Sequence, residues 1–152
     1  EDEARRDDIS AEDIVKIKRG IDHHNQKRSE VIEKIDVWLG NVLSTSGIEP
    51  GEEVEMNSET PGSIIDRLSI LTLKIFHMEE QVEREDAGKE HVEISQKRLN
   101  ILNEQRFDLG KSLDKLILDL RQANKRHKIY RQFKMYNDPN YNPALYKNKH
   151  KH

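Results

Sequence analysis

The stretch SETPGSIIDRLSILTLKIFHM, Ser58 to Met78, is apolar at most positions yet carries Asp66, Arg67, Lys74 and His77. Ser63, Arg67, Lys74 and His77 follow at steps of four, seven and three, which puts them near one stripe of a helix with Asp66 at its flank. A buried charge must be paired or solvated, so two chemistries are open. In the first, the groups form an ion-paired layer that fixes helix register, with Glu30, Asp66 and Asp108 neutralising the arginines. In the second, they line a polar pocket for an anionic small molecule, a sugar phosphate or nucleotide, because guanidinium suits bidentate recognition of phosphate. The candidate anion-binding set is Arg28, Arg67, Lys74, His77 and Arg106, with Asn25, Asp66 and Asn103 as partners in the layer. Arg28 and Arg106 enter through an internal likeness: NQKRSEVIEKID (25–36) lies over NEQRFDLGKSLD (103–114), each giving Asn, Arg three later and an acid two after that. Either helical heptads simply resemble one another, or each helix lends an Asn/Arg pair to one layer.

Other reactive arrangements are thinner. His77 alone reads first as a hydrogen-bonded structural residue. His23 and His24 are adjacent and face different ways, so one helix cannot bring both to a metal. Glu79, Glu80 and Glu83, followed by Glu104 and Asp108, are similar to the carboxylate sets of helical nucleotide pyrophosphohydrolases of the MazG type, which gather carboxylates around magnesium. The second pair departs from that pattern, being spaced i, i+4 where those enzymes use i, i+3. Gly62 opens a helix whose first amides could hold an anion, but nothing requires one. No glycine-rich phosphate loop, nucleophile triad or Cys/His spacing is present. The reading leans away from an enzyme: no catalytic residue, metal site or cofactor is assigned.

Charge is unevenly spread. From Arg121 onward nine Lys/Arg face a single acid, Asp138, a balance of +8; the overall −3 then leaves −11 for residues 1–120. All four tyrosines, 130, 136, 141 and 146, fall in this basic end. Three readings compete. Ile129, Tyr130, Phe133, Met135 and Tyr136 can pack back on the bundle while the lysines stay wet. Arg121, Lys125, Arg126, Lys128, Arg131 and Lys134 can take phosphates, with tyrosines stacking on bases; the −11 of the rest repels such a polyanion. Or the end docks on an acidic partner, with Lys134, Tyr136, Asn137, Asp138 and Tyr146 as contacts; the same cations could loosely hold anionic lipid.

Three long helices must position these groups. Ser10 caps the first, with Asp13 three residues on as its reciprocal partner. Ile14, Ile17, Ile21, Val31, Ile35, Trp38 and Val42 then fall on an a/d heptad seam, interrupted by His24 and Arg28. Gly40 and STSGIEPGEE end this helix. Thr60 and Pro61 start the second, as cap and first helical residue; its near-continuous apolar surface marks it as central. The third begins near Glu90 around a seam of Val92, Leu99, Leu102, Leu109, Leu113, Leu116 and Leu120, with a bend expected near Ala123-Asn124. NDPNYNPALY is expected to be non-helical, since Asn-Asp-Pro and Asn-Pro restrict the preceding residues. The domains are a helical bundle over 1–136 and a basic, non-helical C-terminal extension over 137–152.

The expected fold is all-α: an antiparallel bundle of three long helices with a C-terminal extension. With 34% hydrophobic and 36% charged residues in a chain of 152, a monomer buries little core, so a homodimer is expected. No apolar run approaches the roughly 18 residues of a membrane span, and no signal-peptide pattern opens the chain. The absence of cysteine fits a reducing compartment, the cytoplasm. The first residue is Glu1, so an N-terminal segment is expected to be missing.

NQKR…IEKID, SETPGSIIDRLSILTLKIFHM and YRQFKMYNDPNYNPALY together resemble a bacterial domain-of-unknown-function family whose genes often lie near glycosyltransferases of cell-surface polysaccharide synthesis. The resemblance runs over nearly the whole chain and implies a further N-terminal helical stretch. It also implies that Asn25, Arg28, Asp66, Arg67, Lys74, His77, Lys134, Tyr136, Asn137, Asp138 and Asn142 hold signature positions; it supplies no catalytic residue. The first function expected is therefore a non-enzymatic interaction or scaffold protein beside surface-polysaccharide enzymes, with a glycosyltransferase as one partner. The second is a binder or enzyme acting on an anionic small molecule at the polar layer. The third is a basic-tail nucleic-acid binder.

Overall fold

The computed structural model describes residues 2–131 and 138–146. A 3-10 turn, Asp2–Arg5, precedes three long helices: α1 (Ala11–Thr45), α2 (Pro61–Val82) and α3 (Lys89–Arg121). A single helical turn, α4 (Pro143–Tyr146), follows. The chain is all-α, as the heptads require; the described residues hold no β-strand, only one isolated bridge.

The helix ends are chemically specified. Ser10 Oγ accepts from the Asp13 N–H at 3.1 Å and donates to Asp13 Oδ2 at 2.7 Å, so the acid returns to the hydroxyl of the cap. Gly40 does not end α1. The helix runs on to Thr45 and closes with Gly47 at φ 74°, the left-handed position that glycine takes without strain. Gly47 N–H donates to Ser44 O at 2.9 Å and Ile48 N–H to Leu43 O at 3.0 Å. The bend expected at Ala123-Asn124 is a full stop: α3 ends at Arg121, and Ala123 takes the left-handed position at φ 54°. For an alanine that conformation costs about 1–2 kcal/mol. Ala123 N–H to Leu120 O (3.2 Å) and Asn124 N–H to Asp119 O (2.9 Å) close the turn.

Beyond it, the chain lies along the α1–α2 connection instead of continuing as helix. Arg126 N–H donates to Glu55 O at 3.0 Å, Asn57 N–H to Arg126 O at 2.7 Å, and Arg126 Nε to Val54 O at 2.8 Å. Among the described residues, 122–131 therefore do not continue α3 as helix. Nor is the C-terminal extension wholly non-helical: Asn142 Oδ1 accepts from Ala144 N–H at 3.0 Å and Pro143 takes the first position of α4, the usual signature of a helix start.

Two core clusters hold the bundle. Leu43 of α1, Ile64 of α2 and Leu116 and Leu120 of α3 form one, with Leu39, Ile48, Leu68, Leu109 and Leu113 against it. Leu71, Ile75 and Leu99, with Met78, Val82 and Leu102, form the other from α2 and α3 alone. Ile64 sits with Leu120 and Ile75 with Leu99, so α2 and α3 are antiparallel; Asp36 meets Gly62 and Arg28 meets Asp66, so α1 is antiparallel to α2.

The seam of α1 is displaced from its heptad. Its bundle-facing residues are Ile32, Asp36, Leu39 and Leu43, one position on from Val31, Ile35, Trp38 and Val42, and Trp38 stays 65% exposed. The displacement follows from α2, whose first turn seats on Asp36 rather than on the a/d stripe. α2 is central, though not covered on every side: Leu73 and Phe76 remain exposed.

Candidate functional site

The segments IEKID (32–36) and SETPG (58–62) meet in space. Asp36, 4% exposed in the middle of α1, points at the first turn of α2. Its Oδ1 accepts from Gly62 N–H at 2.7 Å and its Oδ2 from the Thr60 hydroxyl at 2.5 Å. Thr60 Oγ1 in turn accepts from Ser63 N–H at 3.1 Å, and Ser63 Oγ donates to Thr60 O at 2.7 Å. A helix N-terminus favours a negative charge because its first amides are unpaired and its dipole is positive there. Here the anion is the chain's own carboxylate. The amide at Gly62 that could have held a ligand is occupied by Asp36, and both oxygens of Asp36 are spent.

Gly62 makes the joint possible. A Cβ there would stand 2.7 Å from both Asp36 Oδ2 and the carbonyl oxygen of Ile32, so α1 and α2 approach as closely as they do only over a hydrogen. The sequence contained the signal, a Thr-Pro-Gly start and an aspartate amid apolar residues. Only the fold shows that they are partners.

His127, which no motif or spacing marks in the sequence, belongs to this joint. It is half-buried beside Gly40, Leu43 and Leu120. Burial pushes its imidazole below the ordinary value, and the nearby Asp36 charge opposes this less strongly. The native state thus resists a proton that the unfolded chain accepts below about pH 6.5. The stabilising contribution of neutral His127 is full above that pH and is lost as pH falls toward the lowered native value. Urea unfolding at about pH 7.5 and 5.5 is expected to show a drop in stability that His127→Gln reduces; equal pH slopes for the two proteins would contradict it.

The charged stripe of α2 is divided between two clefts. Arg28, Lys74 and His77 line one of ≈ 880 Å³, floored by Leu73, Met78 and Leu102. Arg67 and Lys74 line the other, ≈ 580 Å³, with Glu59, Asp108 and Leu109. Lys74 borders both. Arg106 and Asn103 border neither, and Ser63 is taken up by the cap. Asn25 is half-buried on α1.

Most of these side chains have a carboxylate partner within the chain. Arg28 Nε stands 3.0 Å from Asp66 Oδ1 with its N–H off the hydrogen-bond line, so the buried Oδ1 has a charge contact without a hydrogen bond. Arg67 Nη1 donates to Glu59 Oε1 at 2.6 Å, and His77 Nδ1 is 2.8 Å from Glu80 Oε2. Arg28, Arg67 and His77 each keep at least half of their side-chain surface in water, so no closed charged layer forms. Lys74 has no ion pair or hydrogen bond among the described residues.

One protein-family profile, described as "Protein of unknown function (DUF4254)", matches the chain over residues 1–129. The chain belongs to that family. Neither a curated protein nor a solved structure matches it. The DUF4254 match takes in the Asp36–Gly62 joint, His127 and every candidate cation of the two clefts, and stops short of the QFKMYNDP segment.

Of the candidate docking residues, Lys134, Tyr136 and Asn137 lie outside the described residues, as does the side chain of Tyr146. Asp138 organises a turn: its Oδ1 accepts from Asn140 N–H at 2.8 Å and its carbonyl from Asn142 N–H at 2.9 Å. Of the basic residues considered for phosphate contact, Lys125 donates to Asn57 Oδ1 (3.3 Å), Arg126 to Val54 O, and Arg131 sits 3.6 Å from Glu33. Ile129 packs against Gly40, while Tyr130 is exposed. Among the described residues no three His, Asp or Glu side chains gather as a metal would need, and no helix is long and apolar enough to cross a membrane.

Proposed function

We propose that this chain is a non-enzymatic helical interaction protein of the cytoplasm, a scaffold for enzymes of cell-surface polysaccharide synthesis, a glycosyltransferase among them. The supporting observation is an imbalance at the surface. Leu73, Phe76, Ile101 and Phe107 keep more than half of their area exposed, while Arg28, Arg67 and His77 are matched with carboxylates of the chain itself. Exposed apolar surface of this kind marks association more often than chemistry. The gene neighbourhood implied by the resemblance supplies the class of partner. In this reading the bundle is the rigid body and the basic extension, with Lys134, Tyr136, Asn137, Asp138 and Tyr146, is the docking segment. Co-purification with the glycosyltransferase is expected to survive Lys74→Ala and to be lost when Tyr136–Tyr146 is deleted. The reverse pattern overturns the assignment.

A second reading is favoured by Lys74, the candidate cation shared by both clefts and without a carboxylate partner among the described residues. With Arg28 and His77 it would receive a phosphate-bearing small molecule whose apolar part rests on Leu73 and Leu102. Thermal shift against sugar nucleotides and sugar phosphates is expected to give stabilisation that Lys74→Ala removes. A flat response across that panel excludes it.

A further inference from the structure

The two clefts beside α2 adjoin and differ in character. Ile70 and Lys74 line both. On one side the cleft of ≈ 880 Å³ continues over the aliphatic side chains of Leu73, Met78 and Leu102, and Leu73 is 62% exposed. On the other side the cleft of ≈ 580 Å³ runs into Gln105, Asp108 and Ser112 of α3. Lys74 therefore stands where an apolar trough passes into a polar one.

Charge sorts the walls further. Arg28 is matched with Asp66, Arg67 with Glu59 and His77 with Glu80. Of the charged groups that line the clefts, the Lys74 ammonium and the Asp108 carboxylate are left over, neither having an ion pair or a side-chain hydrogen bond among the described residues. They face the same cleft from α2 and from α3 without pairing with each other. An unmatched cation beside an unmatched anion, with an aliphatic floor next to the cation, calls for a ligand with the opposite charges in the same order. We propose that the joined clefts bind a single-chain zwitterionic amphiphile, its phosphate on Lys74, its ammonium on Asp108 and its alkyl chain over Leu73, Met78 and Leu102. An ammonium holds phosphate as a point charge, and the chain gains by leaving water.

Other anions match less of the site. Neither cleft is lined by Phe, Tyr or Trp, on which the base of a nucleotide would stack. A diphosphate would also bring a second negative charge toward Glu59 and Asp108. A sugar phosphate leaves the aliphatic trough uncovered, and a fatty acid leaves Asp108 without a counter-charge. The inference rests on the second reading above in one respect, an anion at Lys74, and names the class of molecule that carries it.

The test is calorimetric titration of the purified chain with octylphosphoethanolamine, kept below the concentration at which it forms micelles. Octylphosphoglycerol, which lacks the ammonium, and phosphoethanolamine, which lacks the chain, are the comparisons. Octylphosphoethanolamine is expected to bind about five-fold more tightly than the first and about ten-fold or more above the second. Lys74→Ala is expected to weaken both octyl compounds about ten-fold. Asp108→Asn is expected to bring the two octyl compounds to equal affinity, a change of preference that a damaged fold does not imitate. Leu73→Ser is expected to weaken the octyl compounds and leave phosphoethanolamine as it was. Leu73, Lys74 and Asp108 are all exposed, so circular dichroism is expected to stay that of the parent. Equal affinity of the parent for the two octyl compounds overturns the proposal, as does a preference that Asp108→Asn leaves intact. A sugar-phosphate response that Lys74→Ala removes, without binding of octylphosphoethanolamine, overturns the amphiphile and keeps the anion site. Silence toward every phosphate overturns both.

Discussion

Asp36→Ala is expected to cost the fold about 3 kcal/mol, a large share of the roughly 5–15 kcal/mol that holds a domain of this size. The carboxylate accepts two hydrogen bonds in a site where it is 4% exposed, one from a backbone amide that has no other acceptor in α2. Bonds to a charged acceptor contribute about 1.5–3 kcal/mol each, and a buried donor left unpaired adds its own desolvation penalty. Alanine also removes the negative charge from the positive end of α2. Asp36→Asn keeps one acceptor oxygen and an amide that can donate to Thr60 Oγ1, so it is expected to recover part of the loss. Urea titration by circular dichroism measures both; an Asp36→Ala protein within about 0.5 kcal/mol of the parent, the ordinary range for surface changes, would show that the joint is not what holds α1 to α2.

Gly62→Ala is the second large effect, and its sign distinguishes it from other glycines. The new methyl would stand 2.7 Å from a buried carboxylate oxygen and 2.7 Å from the Ile32 carbonyl. The carbonyl belongs to the α1 backbone and cannot turn aside, so α1 and α2 must separate, at about 1–3 kcal/mol for overpacking of this kind. Gly110 sits inside α3 with nothing within 4 Å of its would-be Cβ. There the same substitution is expected to gain about 0.5–1 kcal/mol, because alanine loses less backbone freedom on entering a helix. Thermal melts of the two single variants should therefore move in opposite directions; movement in the same direction would refute the close-approach account of Gly62.

What the sequence made legible was local. Ser10, Thr60 and Pro61 act within three residues of themselves, and their roles could be read from spacing alone. The all-α class followed from heptads, which need no knowledge of neighbours. What stayed hidden depended on contacts between distant residues. Counting by 3.5 selected Val31, Trp38 and Val42 as the seam of α1, but α2 lies one residue round the helix because Asp36 must reach Gly62. The charged residues of α2 have the spacing of a buried layer; Arg67 and His77 instead find exposed carboxylates, and Asp66 meets Arg28 of α1, which no periodicity reveals. Gly40 looked like a terminator and is simply a helical position against which Ile129 packs. Ala123, a good helix former, lies in the turn that ends α3 because the residues after it pair with Glu55 and Asn57, far earlier in the chain.

The makeup of the two core clusters has a kinetic corollary. One is built wholly from α2 and α3, helices joined by the short turn 83–88, whereas α1 reaches the other only through its last third. Contacts between chain neighbours close small loops and form early; α1 must swing in across the longer connection 46–60 and lock last, when Asp36 finds the amide of Gly62. An interaction made after the rate-limiting step acts on the escape rate alone. The stability lost in Asp36→Ala should therefore be read in the unfolding arm of a chevron, with refolding nearly as fast as in the parent.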